Sequence, residues 1–274
     1  MTRTRWIGLV MVLALALGAV WFFVLRVPDG IPVYGVDVAA RYPHDRTAFT
    51  EGLFFQDGQL YEGTGEVGTS YVRRVRLQDG QVVQQQELPS PYFGEGVVAW
   101  KDRLYQLTWK DQTGFVYNLK DFTPTGNFAY QGEGWGLTHN GKNLIMSDGS
   151  ATLRVLDPDS QAVVSTIRVT ANGCPVEKLN ELEWIDGQIY ANIWQTSLIA
   201  RIDPATGHVT SFLDIGALKP QGAGVDQVAN GIAWDAAGKR LFVTGKMWPQ
   251  LYQITPGKAR VHSDEADQIV GCGK

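Results

Sequence analysis

The sequence is poor in the residues that most often build metal sites and nucleophilic active sites. It has two cysteines and four histidines in 274 residues. The histidines show no metal-ligand spacing, which argues against a zinc site, and no Ser-His-Asp arrangement is evident. Charged residues make up only 19% of the chain, and the net charge is -4. The sequence therefore lacks the basic surface of a nucleic-acid-binding protein, and no nucleic-acid partner is expected.

Amphipathic helices are also missing from the body of the chain. What is present instead is a large number of glycines and aromatic residues: 31 Gly, 10 Tyr, 11 Phe and 9 Trp. A hydrophobic content of 44% with only 19% charged residues argues against a disordered chain. This composition is typical of many short strands joined by glycine turns, and nine tryptophans are enough for some of them to line a site.

The N-terminus reads as a targeting segment. Arg3 and Arg5 precede an apolar run from Trp6 to Leu25, which is closed by Arg26. A run of this length can span a bilayer and is longer than an ordinary signal-peptide core. We predict that residues 1–30 form an uncleaved signal anchor. A cleaved signal peptide is the alternative. In both cases the domain of residues 31–274 is exported, and we expect a periplasmic protein, tethered to the inner membrane if the segment is not cleaved.

The two cysteines leave one question open. In an exported protein Cys174 and Cys272 could pair and close a loop of roughly 100 residues, worth up to ~4–5 kcal/mol in the loop-entropy model. The alternative is two free thiols.

Five similar segments recur along the chain at intervals of about 40–50 residues. Each follows a short apolar strand and a turn such as Asp57-Gly58 or Asp186-Gly187, and a second hairpin comes after it. The five segments are LYEGTG from Leu60, LYQLTW from Leu104, LIMSDG from Leu144, IYANIW from Ile189 and LFVTGK from Leu241.

Four short strands in each unit, without helices, are the signature of a β-propeller blade. The sequence therefore predicts an all-β, five-bladed β-propeller with four antiparallel strands per blade over residues 31–274, and a β-sandwich is the alternative. Closing the ring requires one blade to be completed from both termini. The extended stretch Val33 to Tyr42 is predicted to be the outer strand of the blade that contains Leu241.

If the five units superpose, matched positions converge around the central channel. The starts of the first strands contribute Glu51, Glu95, Trp135, Asn180 or Glu181, and Asn230. The ends of the second strands contribute Gly65, Trp109, Gly149, Trp194 and Lys246. The competing interpretation is that each tryptophan packs between blades and each acid is a solvated loop residue.

For the set as a whole we favour a pocket. Three tryptophans and Phe93 would give it apolar walls, and Glu95 could cycle between acid and base. The glycines that flank Glu95 in the sequence FGEG would leave room for a substrate's N-terminus. Lys246 and Asn180 could bind a carbonyl oxygen that becomes anionic. The set predicts carbonyl chemistry with proton transfer and without a required metal.

The motifs FTEGL, FGEG, LTW, GEGWGLT, MSDGS, LNELEW, IYANIW and VTGKMWP follow one another from about Phe49 to Tyr252. In this order they resemble the plant-type glutaminyl-peptide cyclotransferases, five-bladed propellers that also occur in bacteria. The family converts the N-terminal glutamine of a peptide into pyroglutamate and releases ammonia. The resemblance implies an acyltransferase that acts on peptides or proteins with N-terminal glutamine. It implies that catalysis requires no cofactor. It does not decide whether a structural calcium ion is bound in the channel. We also expect the protein to be a monomer.

The resemblance also implies roles for individual residues. Glu95 would be the acid/base, and Asn180 and Lys246 would orient the substrate and stabilise the oxyanion. The aromatic walls would be Phe49, Phe93, Trp109, Trp135 and Trp194. Plant members carry Gln where this chain has Glu51, which could raise the pKa of Glu95 or grip the substrate amine.

Two other functional classes stay open at this point. One is a calcium-dependent propeller hydrolase or lactonase in which Glu51, Asn180 and Asn230 would hold the metal. Such propellers usually have six blades, whereas five units are counted here. The other is a propeller that binds a ligand on its tryptophan cluster without catalysis.

Overall fold

The structure is a computed structural model that describes residues 30–273. The signal anchor or signal peptide predicted for residues 1–30 lies outside the described residues except for Gly30, and it stays a prediction. Among the described residues, no helix has the length and apolar character needed to cross a membrane.

Strand β1 (Val33–Pro43) begins the described fold, and three antiparallel four-stranded sheets follow it, each hydrogen-bonded in chain order. The first sheet consists of β2 to β5, over Thr50–Gln56, Gln59–Thr64, Tyr71–Arg76 and Val82–Glu87. The second consists of β6 to β9, over Gly94–Trp100, Arg103–Thr108, Thr113–Asn118 and Pro124–Ala129. The third consists of β10 to β13, over Leu137–His139, Leu144–Met146, Thr152–Leu156 and Val163–Arg168. The prediction of an all-β fold built from four-stranded units is confirmed.

A two-stranded hairpin, β14 (Thr170–Ala171) and β15 (Cys174–Pro175), leads into a larger sheet. This sheet has eight strands in the order β16-β17-β18-β19-β1-β22-β21-β20. Its strands are Leu179–Ile185 (β16), Gln188–Ile193 (β17), Leu198–Ile202 (β18), Val209–Asp214 (β19), Ala229–Asp235 (β20), Arg240–Gly245 (β21) and Gln250–Arg260 (β22). It therefore consists of two four-stranded halves, and β1 from the start of the chain completes the second half.

Strand β1 has two different partners. It pairs with β22 in antiparallel register from Tyr34 opposite Arg260 to Pro43 opposite Gln250. The predicted outer strand of the last unit is therefore confirmed. The parallel pairing of Val33 with Phe212, which joins β1 to β19, was not predicted.

The turns of the chain explain why these hairpins form. Asp57 and Gly58 have φ values of 52° and 79°, and Asp186 and Gly187 have 46° and 87°. Positive φ at both central residues is the requirement of the two-residue hairpin turn that Asp-Gly favours. Local sequence therefore fixes the junctions β2–β3 and β16–β17.

Strands β2, β6, β10, β16 and β20 contact one another in a closed ring. Strand β2 contacts β6 and β20, β10 contacts β6 and β16, and β16 contacts β20. These first strands are buried along most of their length, whereas the fourth strands β5, β9 and β13 are largely exposed. Residues at the starts of the first strands therefore face one another around the middle of the molecule.

Glycines allow the first strands to come this close. A Cβ on Gly96 would lie 2.6 Å from the backbone oxygen of Trp135, and one on Gly136 would lie 2.1 Å from that of Asn180. A Cβ on Gly94 would lie 2.5 Å from the backbone oxygen of Thr64. The expectation that the glycines of FGEG leave room for a substrate is therefore wrong, because neighbouring strands occupy that space.

The C-terminal segment is fastened to the ring by a disulfide bond. Helix α1 (Asp264–Val270) was not predicted; it follows Ser263, whose side chain accepts a hydrogen bond from the Ala266 N–H. Cys174 of β15 is bonded to Cys272, with a Cα–Cα distance of 5.1 Å. The two cysteines therefore form a disulfide bond and are not free thiols.

Candidate active site

A cavity of about 300 Å³ opens at one end of the ring of first strands. All residues predicted for the site line it: Phe49, Glu51, Phe93, Glu95, Trp109, Trp135, Asn180, Trp194 and Lys246. Three residues that were not predicted also line it: Gln195, Val225 and Asp226. The volume lies at the lower end of the range of small-ligand pockets.

Strand geometry explains this convergence. Glu51, Glu95 and Asn180 are the second residues of β2, β6 and β16, and Trp109 and Lys246 directly follow β7 and β21. Because the first and second strands of each unit are antiparallel, the start of one and the end of the next lie at the same edge of the sheet. Residues far apart in sequence therefore meet at one mouth of the ring.

The walls of the cavity are aromatic rings in contact with one another. Phe93 lies 6.1 Å from Phe49 and 5.6 Å from Trp109 between ring centroids. Trp135 meets Trp194 edge to face at 5.6 Å. Rings in mutual contact form a wall that can exclude water from a bound side chain.

Two glycines at matched positions make room for these rings. A Cβ on Gly65 would lie 2.3 Å from the ring of Phe93, and one on Gly149 would lie 2.8 Å from the ring of Trp135. Gly65 directly follows β3, and Gly149 lies three residues after β11. Glycine therefore occupies these positions, where other units have a tryptophan or a lysine, because a neighbouring aromatic ring fills the space.

Glu51 and Lys246 form a buried ion pair at one side of the cavity. The Nζ of Lys246 lies 2.5 Å from Oε1 of Glu51, and Nδ2 of Asn230 donates to Oε2 of Glu51 at 3.1 Å. Burial raises the pKa of Glu51 despite the opposing effect of Lys246. Lys246 is therefore already paired with a carboxylate rather than standing alone, which the sequence did not indicate.

Glu95 also lines the cavity, but its carboxyl group forms no ion pair like that between Glu51 and Lys246. Its side chain is buried, and within residues 30–273 its carboxyl group has no hydrogen-bond partner. Burial raises the pKa of Glu95 well above its ordinary value, and the negative charges of Glu51 and Glu133 raise it further, whereas Lys246 opposes them. A carboxyl group whose pKa is raised in this way is suited to both accept and donate a proton.

Asn180, and not Glu181, is the residue of β16 that faces the cavity. The Oδ1 atom of Asn180 is buried and has no partner in the described chain. Its backbone oxygen accepts a hydrogen bond from Ser147 Oγ at 2.6 Å, which fixes the residue. An unpartnered buried acceptor favours a ligand that donates a hydrogen bond.

Glu181 and Glu183 instead tie the first strands together below the cavity. The carboxylate of Glu181 accepts the backbone N–H groups of Leu53 and Ile232 at 3.1 and 2.9 Å. Glu183 accepts the N–H of Trp234 at 2.8 Å. Burial raises the pKa of both carboxyl groups, to about 8 for Glu183. Their hydrogen bonds to neighbouring strands give them a structural place in the ring.

Glu133, a residue that was not predicted for the site, contacts two of the cavity walls. Oε2 of Glu133, in GEGWGLT, accepts hydrogen bonds from the indole nitrogens of Trp109 and Trp135 at 2.8 and 2.9 Å. The signal available in the sequence was an acid between two glycines, as at Glu95. Gln195, Val225 and Asp226 had no such signal because they lie in loops outside the repeated strands.

The candidate calcium ligands do not match the needs of that ion. Calcium takes six to eight oxygen ligands, but both carboxylate oxygens of Glu51 are bonded to Lys246 and Asn230. The ammonium of Lys246 would also repel a cation. In the described part of the chain, the acidic and imidazole groups close enough to share an ion are His262, Asp264 and Asp267, which are exposed and do not line the cavity.

Comparison with known proteins decides the family. The model of the glutamine cyclotransferase family matches residues 11–255. The chain belongs to the glutamine cyclotransferase family. It is 43% identical over 235 residues to the glutaminyl-peptide cyclotransferase of Arabidopsis thaliana, covering 83% of this chain and 73% of the plant protein.

A solved structure gives a second comparison for this cyclotransferase family member. The crystal structure of Myxococcus xanthus glutaminyl cyclase is similar to it with a TM-score of 0.78 and 37% sequence identity, over 84% of this chain and 99% of the other. The resemblance found from the motifs between Phe49 and Tyr252 is therefore confirmed.

Proposed function

We propose that this cyclotransferase family member is a glutaminyl-peptide cyclotransferase. It converts the N-terminal glutamine of peptides and proteins into pyroglutamate and releases ammonia. The observation that carries the proposal is the Glu95 carboxyl group, which is buried, unpaired and of raised pKa, in an aromatic cavity shared with Lys246 and Asn180. The family match and the similarity to the plant and bacterial enzymes support it.

We also propose that residues 31–274 form a single catalytic domain with the architecture of a five-bladed propeller. The closed ring of first strands supports five units, and each unit has four strands once β1 is counted with β20 to β22. A blade closed by strands from both ends of the chain would hold the ring shut.

The reaction needs orientation more than a strong nucleophile. Attack of the substrate's α-amine on its own side-chain amide closes a five-membered ring, so holding the two groups together supplies much of the rate. The cavity is small and its walls are rings in mutual contact, such as Trp135 and Trp194. The glutamine side chain would fold back on itself between these walls.

Glu95 would relay one proton between the two nitrogen atoms. As the amine nitrogen bonds to the amide carbon, the Glu95 carboxylate accepts a proton from that nitrogen. When the carbon–nitrogen bond of the amide breaks, the same carboxyl group donates the proton to the leaving nitrogen, which departs as ammonia. The raised pKa of Glu95 makes its carboxylate a stronger base and keeps its acid form accessible.

Lys246 and Asn180 would hold the reacting groups. An ammonium has three donors, so Lys246 can bind the amide oxygen as it becomes anionic while it remains paired with Glu51. The unpartnered Oδ1 of Asn180 would accept a hydrogen bond from the α-amine. In this proposal a side-chain ammonium supplies the positive charge at the oxyanion, and no metal is required.

The remaining proposals rest on the sequence. The apolar segment at Trp6 to Leu25 would direct the protein to the periplasm, with tethering to the inner membrane if it is uncleaved. We propose that the protein acts as a monomer.

The test is a mass measurement on a peptide that begins with glutamine. Incubation with the full-length protein and EDTA should remove one ammonia from the peptide, and a peptide beginning with asparagine should stay unchanged. Glu95→Gln should lower kcat by about 10²- to 10⁴-fold, the usual contribution of acid/base catalysis. Glu87→Gln, an exposed acid on β5, is the matched control and should keep full activity.

The outcomes separate the competing functions. Ammonia release that is lost in EDTA and restored by calcium would refute the metal-independent mechanism, because the product still identifies a cyclase. No product with either EDTA or added calcium would refute the cyclase and favour the hydrolase or the ligand-binding protein. Near-normal kcat in Glu95→Gln, with an unchanged circular dichroism spectrum, would refute the acid/base role.

A further inference from the structure

We propose that Glu133 is a positioning residue whose carboxylate holds two walls of the cavity, Trp109 and Trp135, in one fixed arrangement. The inference rests on the proposed function, because the fixed arrangement of the two rings would shape the cavity for the glutamine side chain. Glu133 itself does not line the cavity and stands behind the two rings.

A single oxygen atom joins the two walls. Oε2 of Glu133 accepts the indole N–H of Trp109 at 2.8 Å and that of Trp135 at 2.9 Å. Trp109 follows β7 of the second sheet, whereas Trp135 precedes β10 of the third. The carboxylate therefore sets the relative position of side chains that belong to different units.

Both hydrogen bonds are of the stronger kind. Their acceptor is a carboxylate oxygen, and hydrogen bonds to carboxylates are shorter and about twice as strong as neutral ones. An indole has one N–H donor and no acceptor, so losing this partner frees the ring to rotate about its side-chain bonds. A rotated Trp135 would also lose its contact with Trp194.

The segment that carries Glu133 is fixed on both sides. Nη2 of Arg154 donates to the backbone oxygen of Glu133 at 2.6 Å. The N–H of Gly134 donates to the backbone oxygen of Trp109 at 2.9 Å. Arg154 also lies 3.2 Å from Asp148, so its own charge is shared. Because its backbone is held in place, the carboxylate of Glu133 can hold the two indole rings in fixed positions.

The charge of Glu133 has a second effect, on the proton-relay group. Burial is the main reason that the pKa of Glu95 is raised, and Glu51 and Glu133 raise it further while Lys246 lowers it. Tyr130 is a further titratable group near Glu95, because burial raises its pKa and the charge of Glu95 adds to that effect. Removing the charge of Glu133 without moving the rings should therefore move the pH profile of the reaction.

Two substitutions separate these effects. Glu133→Leu removes the acceptor, and KM for a glutamine peptide should rise about tenfold or more because two bonds to a charged group are lost. Glu133→Gln keeps an oxygen that can accept both indole N–H groups. Its KM should stay within about threefold of wild type, while the pKa on the acidic side of its kcat/KM profile should fall.

A readout that needs no turnover accompanies the kinetics. Quenching of tryptophan fluorescence by acrylamide should increase in Glu133→Leu and stay near the wild-type value in Glu133→Gln and in the control Glu87→Gln. If the wild-type protein fails to cyclise glutamine peptides, the proposed function is refuted, but the fluorescence arm still tests the positioning role.

Defined results would overturn the inference. Wild-type KM and wild-type quenching in Glu133→Leu would show that the carboxylate does not hold the rings. If Glu133→Leu does not fold, Glu133→Ala removes the same acceptor, and wild-type KM and wild-type quenching in that variant would refute the positioning role. An unchanged pH profile in Glu133→Gln would refute the effect of the charge on Glu95.

Discussion

Glu183 is a carboxyl group in the middle of the ring, and its replacement by glutamine should stabilise the folded protein in mildly alkaline solution. The residue is only 8% exposed. One carboxylate oxygen accepts the backbone N–H of Trp234 at 2.8 Å, and the other is 3.4 Å from the hydroxyl of Thr138. These bonds favour the charged form, but burial outweighs them and raises the pKa of Glu183 to about 8.

The sign and size of the effect follow from this pKa. In the unfolded chain the group has its ordinary pKa of 4.5. Between pH 4.5 and about 8 the folded state keeps a proton that the unfolded state has released, so stability falls as the pH rises. The gap between the two pKa values, at about 1.4 kcal/mol for each pH unit, limits the loss to about 5 kcal/mol. About 2 kcal/mol of it falls between pH 6 and 8.

Glu183→Gln should remove this dependence while keeping both bonds. The amide oxygen can accept the N–H of Trp234, and the amide nitrogen can donate to the hydroxyl of Thr138. Because the variant has no proton to hold, its stability relative to wild type should increase with pH.

The assay is urea unfolding of both proteins, followed by tryptophan fluorescence at pH 5, 6, 7 and 8. All other titrating groups are common to the two chains, so the difference between their free energies of unfolding isolates Glu183. It should grow by roughly 1 kcal/mol for each pH unit between 6 and 8. A difference that is independent of pH, or that shrinks as the pH rises, would refute the reasoning.

Two further stability predictions use other buried groups. Burial favours a higher pKa for Glu62, but His44 and Arg73 outweigh it and lower that pKa to about 2, so this carboxylate stabilises the fold above pH 4.5 and the stabilisation is lost toward pH 2. Glu62→Gln should therefore cost about 3–5 kcal/mol at pH 7 in urea unfolding, and a neutral result would contradict it. Cys272→Ser should cost up to about 4–5 kcal/mol, because the bond to Cys174 spans 98 residues; equal melting temperatures with and without reductant in the wild type would contradict this.

Much of the fold could be predicted because its signals are local. Asp57-Gly58 and Asp186-Gly187 specify tight hairpins by their own backbone preferences, and each recurs at the same place in its unit. Once the units were aligned, the cavity followed: Glu95 and Trp109 occupy matched ends of adjacent strands. Alignment of repeats therefore predicts convergence without any knowledge of long-range contacts.

The features that were missed depend on contacts between distant segments. The parallel pairing of Val33 with Phe212 has no local signature, and neither does the junction of two indole rings at Glu133. Gly96 could be read from the sequence, but the need for glycine at this position could not. The atom that Gly96 approaches belongs to Trp135 of the next unit. A short helix such as Asp264–Val270 carries too few residues for a periodic pattern.

Glu51 is the residue whose role the sequence left open between two options. Both of its carboxylate oxygens are bonded, to Lys246 at 2.5 Å and to Asn230 at 3.1 Å. Each of these oxygens keeps a second lone pair that could bind the substrate amine, whereas raising the pKa of Glu95 requires only the charge that is already there. The raised pKa of Glu95 supports the second option. In the proposed mechanism the same charge would weaken the pull of Lys246 on an oxyanion, so Glu51 would exchange part of the oxyanion stabilisation for a stronger base at Glu95.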